Sequence, residues 1–286
     1  MEDVSFGVTP AILKDLQHKY GVKASKALGQ NFLVDSNICQ KISSSLQDGE
    51  NVIEIGPGIG SLTLHLAKRA NTVTAIELDT HMLKPLNDIL SRSNSLDQVD
   101  VLNEDVMKVD LQSLSIETNS KKIFGNLPYN ISAPLIANIV RGVDNIETLI
   151  VMVQKEVGER LLAKQGTRDV GAITYKCQYF MEIEKLFQVP KMSFIPRPHV
   201  DSIVIKLTRK PVLELPLESS QVNELFSIID VAFAKRRKML RQSLKDIFGE
   251  NLAAIFETAN VDPEKRPEQL TNENFLNLYN AKRLIA

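Results

Sequence analysis

The tetrapeptide Asn126-Leu127-Pro128-Tyr129 carries the groups needed for chemistry on the exocyclic N6 amine of adenine. This amine is a weak nucleophile because its lone pair is conjugated into the ring. The side-chain oxygen of Asn126 and the carbonyl oxygen of Leu127 can each accept an N6–H hydrogen bond, which orients the lone pair and stabilises charge developing on nitrogen. Pro128 stiffens the turn, and the ring of Tyr129 can stack on a flipped base for about 1–3 kcal/mol. We interpret the segment as a site that positions an adenine amine for attack without deprotonating it first.

Phe194 begins a second motif, Phe194–Ser202, in which two prolines hold the chain extended. Such a loop can present the ring of Phe194 to the other face of the base. A phenylalanine at this position can equally belong to the hydrophobic core, and the residue type by itself favours that alternative. The sequence leaves both interpretations open.

A glycine-rich loop joins a predicted strand to a predicted helix, with glycines at Gly56, Gly58 and Gly60. A dinucleotide fingerprint spaces its glycines as G-x-G-x-x-G and places a pyrophosphate at the helix N-terminus. In this chain the third glycine comes one residue early, and the carboxylate of Glu54 would repel a pyrophosphate. A cationic amino-acid cofactor such as S-adenosyl-L-methionine would be attracted instead, and glycine lets the backbone approach it closely.

Two further acids follow the next two predicted strands, Glu77 at the end of the second and Asp105 after the third. Glu77 can accept hydrogen bonds from both hydroxyls of a ribose, and Asp105 can accept one from the cofactor's adenine amine. Each feature alone also fits an ordinary turn or a surface acid. Their occurrence after three successive strands, where ligands of open α/β sheets bind, favours a nucleoside-containing cofactor.

Short apolar runs alternate with helical patterns from residue 51 onward. This pattern is typical of an α/β protein with a mainly parallel central sheet and helices on both faces. The predicted strands are Asn51–Ile55, Thr72–Glu77, Val99–Leu102, Lys122–Phe124 and Thr148–Val153, with Ile183–Val189 and Ser202–Leu207 as candidates for the far edge.

The composition changes near Lys210, and Pro211–Pro216 has the composition of a linker. Beyond it the periodicity predicts helices at 219–234, 235–248, 250–258 and 271–283. We predict a catalytic domain over residues 1–210, with an N-terminal helical extension at 1–48, and a helical RNA-binding domain over 211–286.

Basic residues cluster in the segment 235–245, although the formal net charge of the chain is −1. The cluster consists of Lys235, Arg236, Arg237, Lys238, Arg241 and Lys245. A basic helix is often only a solvated surface, but six cations in eleven residues favour contact with RNA phosphates and salt-sensitive binding. Four lysines nearer the N-terminus can extend this surface: Lys14, Lys19, Lys23 and Lys26.

The composition argues against several other classes of protein. The two cysteines, Cys39 and Cys177, form no paired motif and the histidines are scattered, so we expect neither a disulfide framework nor a bound metal. The acidic start Met1–Val4 lacks the apolar segment of a signal peptide, and no apolar run reaches the length of a membrane span. We expect a cytoplasmic monomer that contacts no membrane.

Taken together, the motifs resemble those of the KsgA family of small-subunit ribosomal RNA adenine N6,N6-dimethyltransferases over nearly the whole chain. The matching segments are Leu28–Leu33, Glu54–Gly58, Asn126–Tyr129, Gln154–Glu156, Phe194–Ser202 and Phe233–Lys238. The resemblance implies a Rossmann-like, S-adenosylmethionine-dependent methyltransferase domain followed by a helical domain. It also implies dimethylation of two adjacent adenosines in the hairpin loop near the 3′ end of 16S rRNA, in the immature 30S subunit, during small-subunit biogenesis.

The resemblance also assigns roles to the residues that match the motifs. It implies cofactor contacts for Asn31, Leu33, Gly56, Gly58, Glu77, Asp105 and Asn126, and target-adenine contacts for Asn126, Leu127, Tyr129 and Phe194. Chemistry alone makes Gln30-Asn31-Phe32 a polar loop, whereas the resemblance makes it a lid over the methionine end of the cofactor. The segment 91–120 and the tail beyond 249 match less distinctively and receive no role.

Two other functions compete with this one. A large-subunit rRNA adenine methyltransferase that confers antibiotic resistance would share the fold and the site, but the basic C-terminal segment and Gln154–Glu156 favour the small subunit. A non-catalytic nucleic-acid-binding factor on the same fold, like the mitochondrial transcription factors related to the family, would not need intact Glu54–Gly58 and Asn126–Tyr129 motifs.

Overall fold

The computed structural model of the protein describes residue 4 and residues 7–211 and 217–285. The acidic start Met1–Val4 lies outside these residues except for Val4, and the predicted linker Pro211–Pro216 lies outside them except for Pro211. The described residues form nine strands: β1 (Phe32–Leu33), β2 (Asn51–Ile55), β3 (Thr72–Ile76), β4 (Val99–Leu102), β5 (Lys122–Asn126), β6 (Thr148–Gln154), β7 (Met181–Val189), β8 (Phe194–Ile195) and β9 (Ser202–Arg209).

Seven of these strands form one sheet in the order β4-β3-β2-β5-β6-β9-β7. The pairs from β4 to β6 are parallel, and β9 runs antiparallel to β6. Strands β2, β3, β5 and β6 are almost entirely buried, as expected of parallel strands covered on both faces. The predicted mainly parallel sheet is confirmed, and β9 and β7 lie at the far edge as predicted.

Helices occupy most of the remaining described residues. They are α1 (Pro10–Tyr20), α2 (Ser36–Ser43), α3 (Thr63–Ala67), α4 (Thr80–Arg92), α5 (Leu111–Glu117), α6 (Ser132–Gly142), α7 (Lys155–Leu162), α8 (Ala172–Phe180), α9 (Ser219–Ala234), α10 (Leu240–Ser243), α11 (Lys245–Phe248), α12 (Leu252–Thr258) and α13 (Asn272–Ile285), with single 3-10 turns at Leu96–Gln98, Lys191–Ser193, Gly249–Asn251 and Pro267–Gln269. Among the described residues, no helix combines the length and the apolar character that crossing a membrane requires.

Local chemistry sets where two of the helices begin. Thr9 precedes Pro10 at the start of α1, and its hydroxyl accepts a hydrogen bond from the N–H of Ile12 (3.3 Å). Asp79 caps α4, where its side chain accepts from the N–H of His81 (3.0 Å). Both are N-cap residues whose oxygen satisfies an amide left free in the first helical turn.

The order of the strands determines where a ligand can bind. From β2 the chain moves outward through β3 to β4, and it then returns to β5 on the opposite side of β2. The connections after β2 and β5 therefore leave the sheet in opposite directions and open a crevice at the carboxyl ends of these two strands. Doubly wound sheets bind their ligands in this crevice.

A short antiparallel ladder outside the main sheet joins β1 to β8. Phe32 lies opposite Ile195, Leu33 lies opposite Phe194, and the N–H of Val34 extends the contact by bonding a neighbouring carbonyl. Strands of two residues have no measurable periodicity, so the sequence gives no signal for this pairing. The ladder ties the segment that precedes α2 to a part of the same unit that comes much later in the chain.

The described residues form two compact units, one made of those up to 158 with 183–209, the other of 159–182 with those from 210 onward. The predicted single boundary at residue 210 differs from this division in the placement of 159–182. Tyr175 of α8 explains the difference, because it is fully buried in the second unit and its hydroxyl donates to the carbonyl of Leu270 (2.6 Å). Its ring packs against the rings of Phe233 and Phe275, with centroids 5.5 Å and 5.1 Å away.

The predicted helix over 235–248 is wrong. A turn at Lys235–Lys238 follows α9, and Met239 is extended (φ −66°, ψ 151°) before α10 begins. The N–H of Leu240 bonds the carbonyl of Lys265 (2.8 Å). This hydrogen bond to a distant part of the chain helps to keep α9 and α10 separate. The local apolar pattern does not predict it.

Two glycines provide a matched test of the packing in the first unit. A Cβ on Gly158 of α7 would overlap Cγ2 of Ile203 in β9, whereas a Cβ on Gly142 of α6 would meet open space. We expect Gly158→Ala to lower the free energy of unfolding by about 1–3 kcal/mol, because helix and strand must move apart. Gly142→Ala should be neutral or slightly stabilising. Thermal unfolding followed by circular dichroism compares the two variants, and equal melting temperatures would contradict this packing.

Candidate active site

A pocket of about 270 Å³ opens at the carboxyl ends of β2, β3, β4 and β5. Its wall comes from the loops that follow these strands and from the segment that precedes β1. The lining segments are Leu28–Leu33, Glu54–Ile59, Ser61–Leu62, Ile76–Leu78, Glu104–Met107 and Asn126–Ile131. The glycine loop, Glu77, Asp105 and the Asn126–Tyr129 motif, each predicted separately from the sequence, therefore meet in one cavity.

The turn after β2 needs glycine at three positions. Gly56, Gly58 and Gly60 have φ values of 70°, 55° and 87°, which L side chains rarely adopt. A Cβ on Gly60 would also lie 2.9 Å from Cδ1 of Leu86 in α4. The backbone therefore lines the pocket at Gly56 and Gly58 with no side chain in the way, and Gly60 allows the loop to pack closely against α4.

Glu77 organises this loop. Its Oε2 accepts a hydrogen bond from the N–H of Gly58 (2.9 Å), and its Oε1 accepts one from the N–H of Asp79 (2.8 Å). Burial raises the pKa of the Glu77 carboxyl, and these two hydrogen bonds oppose the rise. Each carboxylate oxygen keeps a second lone pair, which can accept from a ribose hydroxyl. The residue thus has a structural task that its place in the sequence does not reveal.

The pocket is strongly acidic. Glu54, Glu77, Glu104 and Asp105 all line it, and no lysine, arginine or histidine occurs among the described residues of its wall. Such a wall repels a pyrophosphate and attracts a cation. One oxygen of Asp105 accepts from the N–H of Met107 (3.0 Å), which leaves the other available to a ligand.

Glu54 is the most deeply buried of these acids. It is 1% exposed, and its Oε2 has no hydrogen-bond partner among the described residues. Burial raises the pKa of Glu54 to about 8, the hydroxyl of Thr63 opposes the rise, and the charge of Glu77 adds to it. The hydroxyl of Ser61, which also lines the pocket, is buried and has no hydrogen-bond partner in the part of the chain that the structure describes. Such atoms need a ligand or a water, and they fit a ligand that carries positive charge and hydrogen-bond donors, as S-adenosylmethionine does.

Asn126 is oriented by the segment that precedes β1. Its Nδ2 donates to the carbonyl of Asn31 (3.2 Å), and only the nitrogen of an amide can donate. Leu127 is anchored by its N–H on the carbonyl of Met152 (3.1 Å). In the described part of the chain, no group donates to the side-chain oxygen of Asn126 or to the carbonyl of Leu127. Both acceptors therefore belong to residues of the pocket wall and are available to an amine.

The two predicted aromatic contacts have different surroundings. Tyr129 lines the pocket, half-buried, and its hydroxyl shares a hydrogen bond with Oγ of Ser202 (2.8 Å). Burial raises the pKa of the Tyr129 phenol. Phe194 is 2% exposed, belongs to the hydrophobic core and is not part of the pocket wall. The structure therefore brings Tyr129 to the site and leaves Phe194 in the core position that its residue type favours.

Gln30 connects the segment before β1 to α4, and sequence reasoning passes over it as part of a polar loop. Its Oε1 accepts from the N–H of Ser25 (2.8 Å), and its Nε2 donates to Oδ2 of Asp79 (2.9 Å). Asp79 in turn bonds Glu77. A chain of hydrogen bonds therefore runs from this segment to the glycine loop, and the sequence hides it because Gln30 and Asp79 lie 49 residues apart.

The predicted RNA-binding cations of the second unit include both paired and unpaired groups. The contacts within the unit are Lys235 with Asp246 (3.2 Å), Arg241 with Glu264 (3.6 Å) and Arg236 with the carbonyl of Arg168. Arg237, Lys238 and Lys245 are exposed, and none of them has an ion-pair partner in the part of the chain that the structure describes. Their charges are the ones most available to an outside anion.

The sheet order and the placement of the pocket define a Rossmann-like methyltransferase fold. The dimethyladenosine transferase from Plasmodium falciparum shares it, with a TM-score of 0.70 and 24% identity over 88% of this chain and 98% of that one. So does the 23S rRNA methyltransferase ErmE, with a TM-score of 0.64 and 24% identity over 88% of this chain and 100% of that one.

The chain belongs to the ribosomal RNA adenine dimethylase family, which matches residues 21–283. It is 40% identical to the ribosomal RNA small subunit methyltransferase A of Lactiplantibacillus plantarum, over 95% of this chain and 94% of that protein. The protein of the same name from Staphylococcus haemolyticus is 38% identical, over 96% of this chain and 95% of its own length.

The Gln30 connection can be tested without any ligand. Gln30→Leu removes the acceptor for the Ser25 N–H and the donor to Asp79, and a hydrogen bond of this kind contributes about 0.5–1.5 kcal/mol. We expect amide exchange in residues 25–31 to become roughly two- to tenfold faster, measured by hydrogen–deuterium exchange. Gln17→Leu, on the exposed face of α1, is the control. Unchanged exchange in Gln30→Leu would show that other contacts hold the segment.

Proposed function

We propose that this protein transfers methyl groups from S-adenosyl-L-methionine to N6 of two adjacent adenosines near the 3′ end of 16S rRNA, giving N6,N6-dimethyladenosine. One observation carries the proposal. The amide of Asn126 is fixed by its donation to Asn31 in the wall of an acidic pocket, and this leaves the oxygen of Asn126 as an acceptor for an amine. Membership of the ribosomal RNA adenine dimethylase family supports the same reaction.

The cofactor would supply a methyl group on a positively charged sulfur. Glu77 is suited to hold its ribose, because both carboxylate oxygens keep a lone pair after binding Gly58 and Asp79. Asp105 is suited to accept from the adenine amine through its unbonded oxygen. The wall formed by Asn31 and Leu33 faces the same cavity as these acids, and the glycine loop leaves room for close approach of the backbone.

The target adenine would be held by the residues that follow β5. The oxygen of Asn126 and the carbonyl of Leu127 accept its two N6–H hydrogens, which turns the lone pair toward the methyl and stabilises the positive charge that nitrogen gains. Tyr129 offers its ring for stacking, and the hydroxyl at the other end of that ring is held by Ser202. The base must leave its helix or loop stack to reach this pocket. Much of the rate would come from this alignment, since no proton has to leave the amine before attack.

The choice of small-subunit RNA is supported by the relatives named ribosomal RNA small subunit methyltransferase A, which match the chain over nearly its full length. The basic segment 235–245 is the part of the chain suited to RNA phosphates. We extend the proposal to a monomer that works in the cytoplasm on the immature 30S subunit and takes part in its biogenesis, with no metal ion in the reaction.

The test is a labelling experiment on defined ribosomal particles. Purified protein, S-adenosylmethionine labelled in the methyl group and small subunits that lack the modification should yield labelled N6,N6-dimethyladenosine in 16S rRNA. Large subunits and naked 23S rRNA serve as the competing substrates. Label confined to 23S rRNA would overturn the choice of subunit, and absence of cofactor binding by calorimetry would overturn the methyltransferase assignment itself.

Asn126 provides the sharpest mutational prediction. Asn126→Ala removes one of the two acceptors for the amine, and we expect kcat to fall by about 10²–10³-fold, which is typical for loss of one positioned hydrogen-bonding group in a transition state. Single-turnover transfer to small subunits measures the change. Asn138→Ala, on the exposed side of α6, should retain normal turnover, and both variants should keep the circular dichroism spectrum of the parent. Near-normal transfer by Asn126→Ala would refute the proposed role.

The basic segment predicts a specific dependence on salt. The double variant Arg237→Ala, Lys238→Ala removes two exposed charges that lack ion-pair partners among the described residues, so the slope of log affinity for rRNA against log salt should become shallower by about 2. Lys235→Ala should have a smaller effect, because Asp246 already offsets that charge. Lys121→Ala, paired with Glu147 in the other unit, should leave the slope unchanged. Equal slopes for all variants would exclude this segment from the interface.

A further inference from the structure

Glu54 is a buried acid with no counter-ion among the described residues. It lies in β2, is 1% exposed, lines the pocket, and leaves Oε2 without a hydrogen-bond donor in the described part of the chain. No arginine, lysine or histidine stands among the described residues of the pocket wall. An ionised carboxylate in such a place is strongly disfavoured until a positive charge arrives.

The groups that face Glu54 do not supply this charge. Glu77, at the end of β3, is itself an acid and opposes ionisation of Glu54. Cys39 of α2 is buried and neutral, and Glu54 helps to raise the pKa of its thiol. From α3, Thr63 presents a hydroxyl that favours the ionised form without making a hydrogen bond of full geometry. His65 of the same helix is hydrogen-bonded to Ser36, away from the pocket wall.

We propose that Glu54 is the residue that discriminates between the charged cosubstrate S-adenosylmethionine and the neutral thioether product S-adenosylhomocysteine, by ionising for the first and holding a proton with the second. The inference rests on the proposed methyltransferase function. The two molecules share the nucleoside and the amino-acid head, and they differ in one methyl group and one positive charge at sulfur. A buried carboxyl that gains or loses a proton responds to that difference directly.

The charge balance of the reaction fits this assignment. The amine nitrogen forms a bond to the methyl carbon and afterwards loses one proton to solvent, while the carbon–sulfur bond breaks and its electron pair stays on sulfur. The sulfur therefore loses its positive charge, and the ionised Glu54 is left without the cation that stabilised it. Glu54 then takes up one proton from solvent, and it releases that proton again when the next charged cosubstrate binds. The product consequently meets a Glu54 that no longer carries a charge.

The raised pKa of Glu54 predicts the direction in which binding changes with pH. The pKa of Glu54 stands at about 8 in the ligand-free protein because of burial, so the carboxyl is mostly protonated at neutral pH. Binding of S-adenosylmethionine must then release a proton, and its affinity should fall by up to about tenfold for each pH unit below that pKa. S-adenosylhomocysteine lacks the charge at sulfur and carries only the ammonium group that both ligands share, so its binding should release fewer protons. The ratio of the affinity for S-adenosylmethionine to that for S-adenosylhomocysteine should therefore fall as the pH falls. Titration of the amino group, which both ligands carry, affects both affinities alike and cancels in this ratio.

The experiment is isothermal titration calorimetry of the full chain with each ligand, across pH and in two buffers of different ionisation enthalpy. At neutral pH the parent should release more protons with S-adenosylmethionine than with S-adenosylhomocysteine, by a difference approaching one. Glu54→Gln should abolish the difference and make the affinity ratio independent of pH. Glu50 lies just before the same strand, and its carboxylate pairs with Lys122 outside the pocket. Glu50→Gln should therefore behave like the parent.

The possible outcomes distinguish failure of the role of Glu54 from failure of the proposed function. Equal proton release with the two ligands in the parent, or a difference that survives in Glu54→Gln, would overturn the role of Glu54 and leave the proposed function intact. Failure of the parent to bind either ligand would overturn the function instead. If Glu54→Gln does not fold, Glu54→Asp keeps a titratable group and should retain the linkage with a displaced midpoint. In infrared difference spectra, the parent should then lose the band of a protonated carboxyl when it binds S-adenosylmethionine but not when it binds S-adenosylhomocysteine. Persistence of this band with S-adenosylmethionine would count against the proposal.

Discussion

One carboxylate, that of Glu77, joins three parts of the pocket that come from separate stretches of the chain. It accepts the N–H of Gly58 in the loop after β2 and the N–H of Asp79 at the start of α4, and Asp79 in turn holds Gln30. Hydrogen bonds to a charged acceptor are stronger than those between neutral groups, and a buried site strengthens them further. The conformation of the glycine loop, the origin of α4 and the position of the segment before β1 are therefore set relative to one another before any ligand binds.

The hydrogen bonds to Glu77 favour its ionised form, and the charge of Glu77 opposes ionisation of Glu54. Acids line its wall without a basic partner among the described residues, and burial makes the ionised state of the deepest ones unfavourable. Binding of a cation therefore favours the ionised form of these acids, and part of its interaction energy is used to ionise the deepest one. Asn126 and Leu127 differ from these acids, since their groups are neutral and no described residue donates to their acceptor oxygens. In the proposed function, one cavity would hold a charged ligand beside the acids and a neutral purine beside Asn126 and Leu127.

The spacing of apolar residues along the chain predicted most of the strands and helices, because their formation depends on neighbouring residues. The buried parallel strands were recognisable because they are short apolar runs, and the crevice followed from their alternation with helices. Contacts between residues far apart in sequence were not recognisable. These include the β1–β8 ladder, the bond from Gln30 to Asp79 and the grouping of residues 159–182 with the C-terminal helices. Phe194 shows the limit for side chains, because a phenylalanine between prolines suits a base platform and a core equally well, and only packing decides.

The β1–β8 ladder has a consequence for how the protein is made. The glycine loop and Asn126 emerge early in synthesis, yet the strand that secures the Asn31 wall lies at Phe194–Ile195, and the partner of the Tyr129 hydroxyl is Ser202. Domains fold as units while the chain grows from its N-terminus. A nascent chain that ends before these residues can build the centre of the sheet but cannot close the cavity. The pocket is therefore completed only after about two thirds of the protein has left the ribosome.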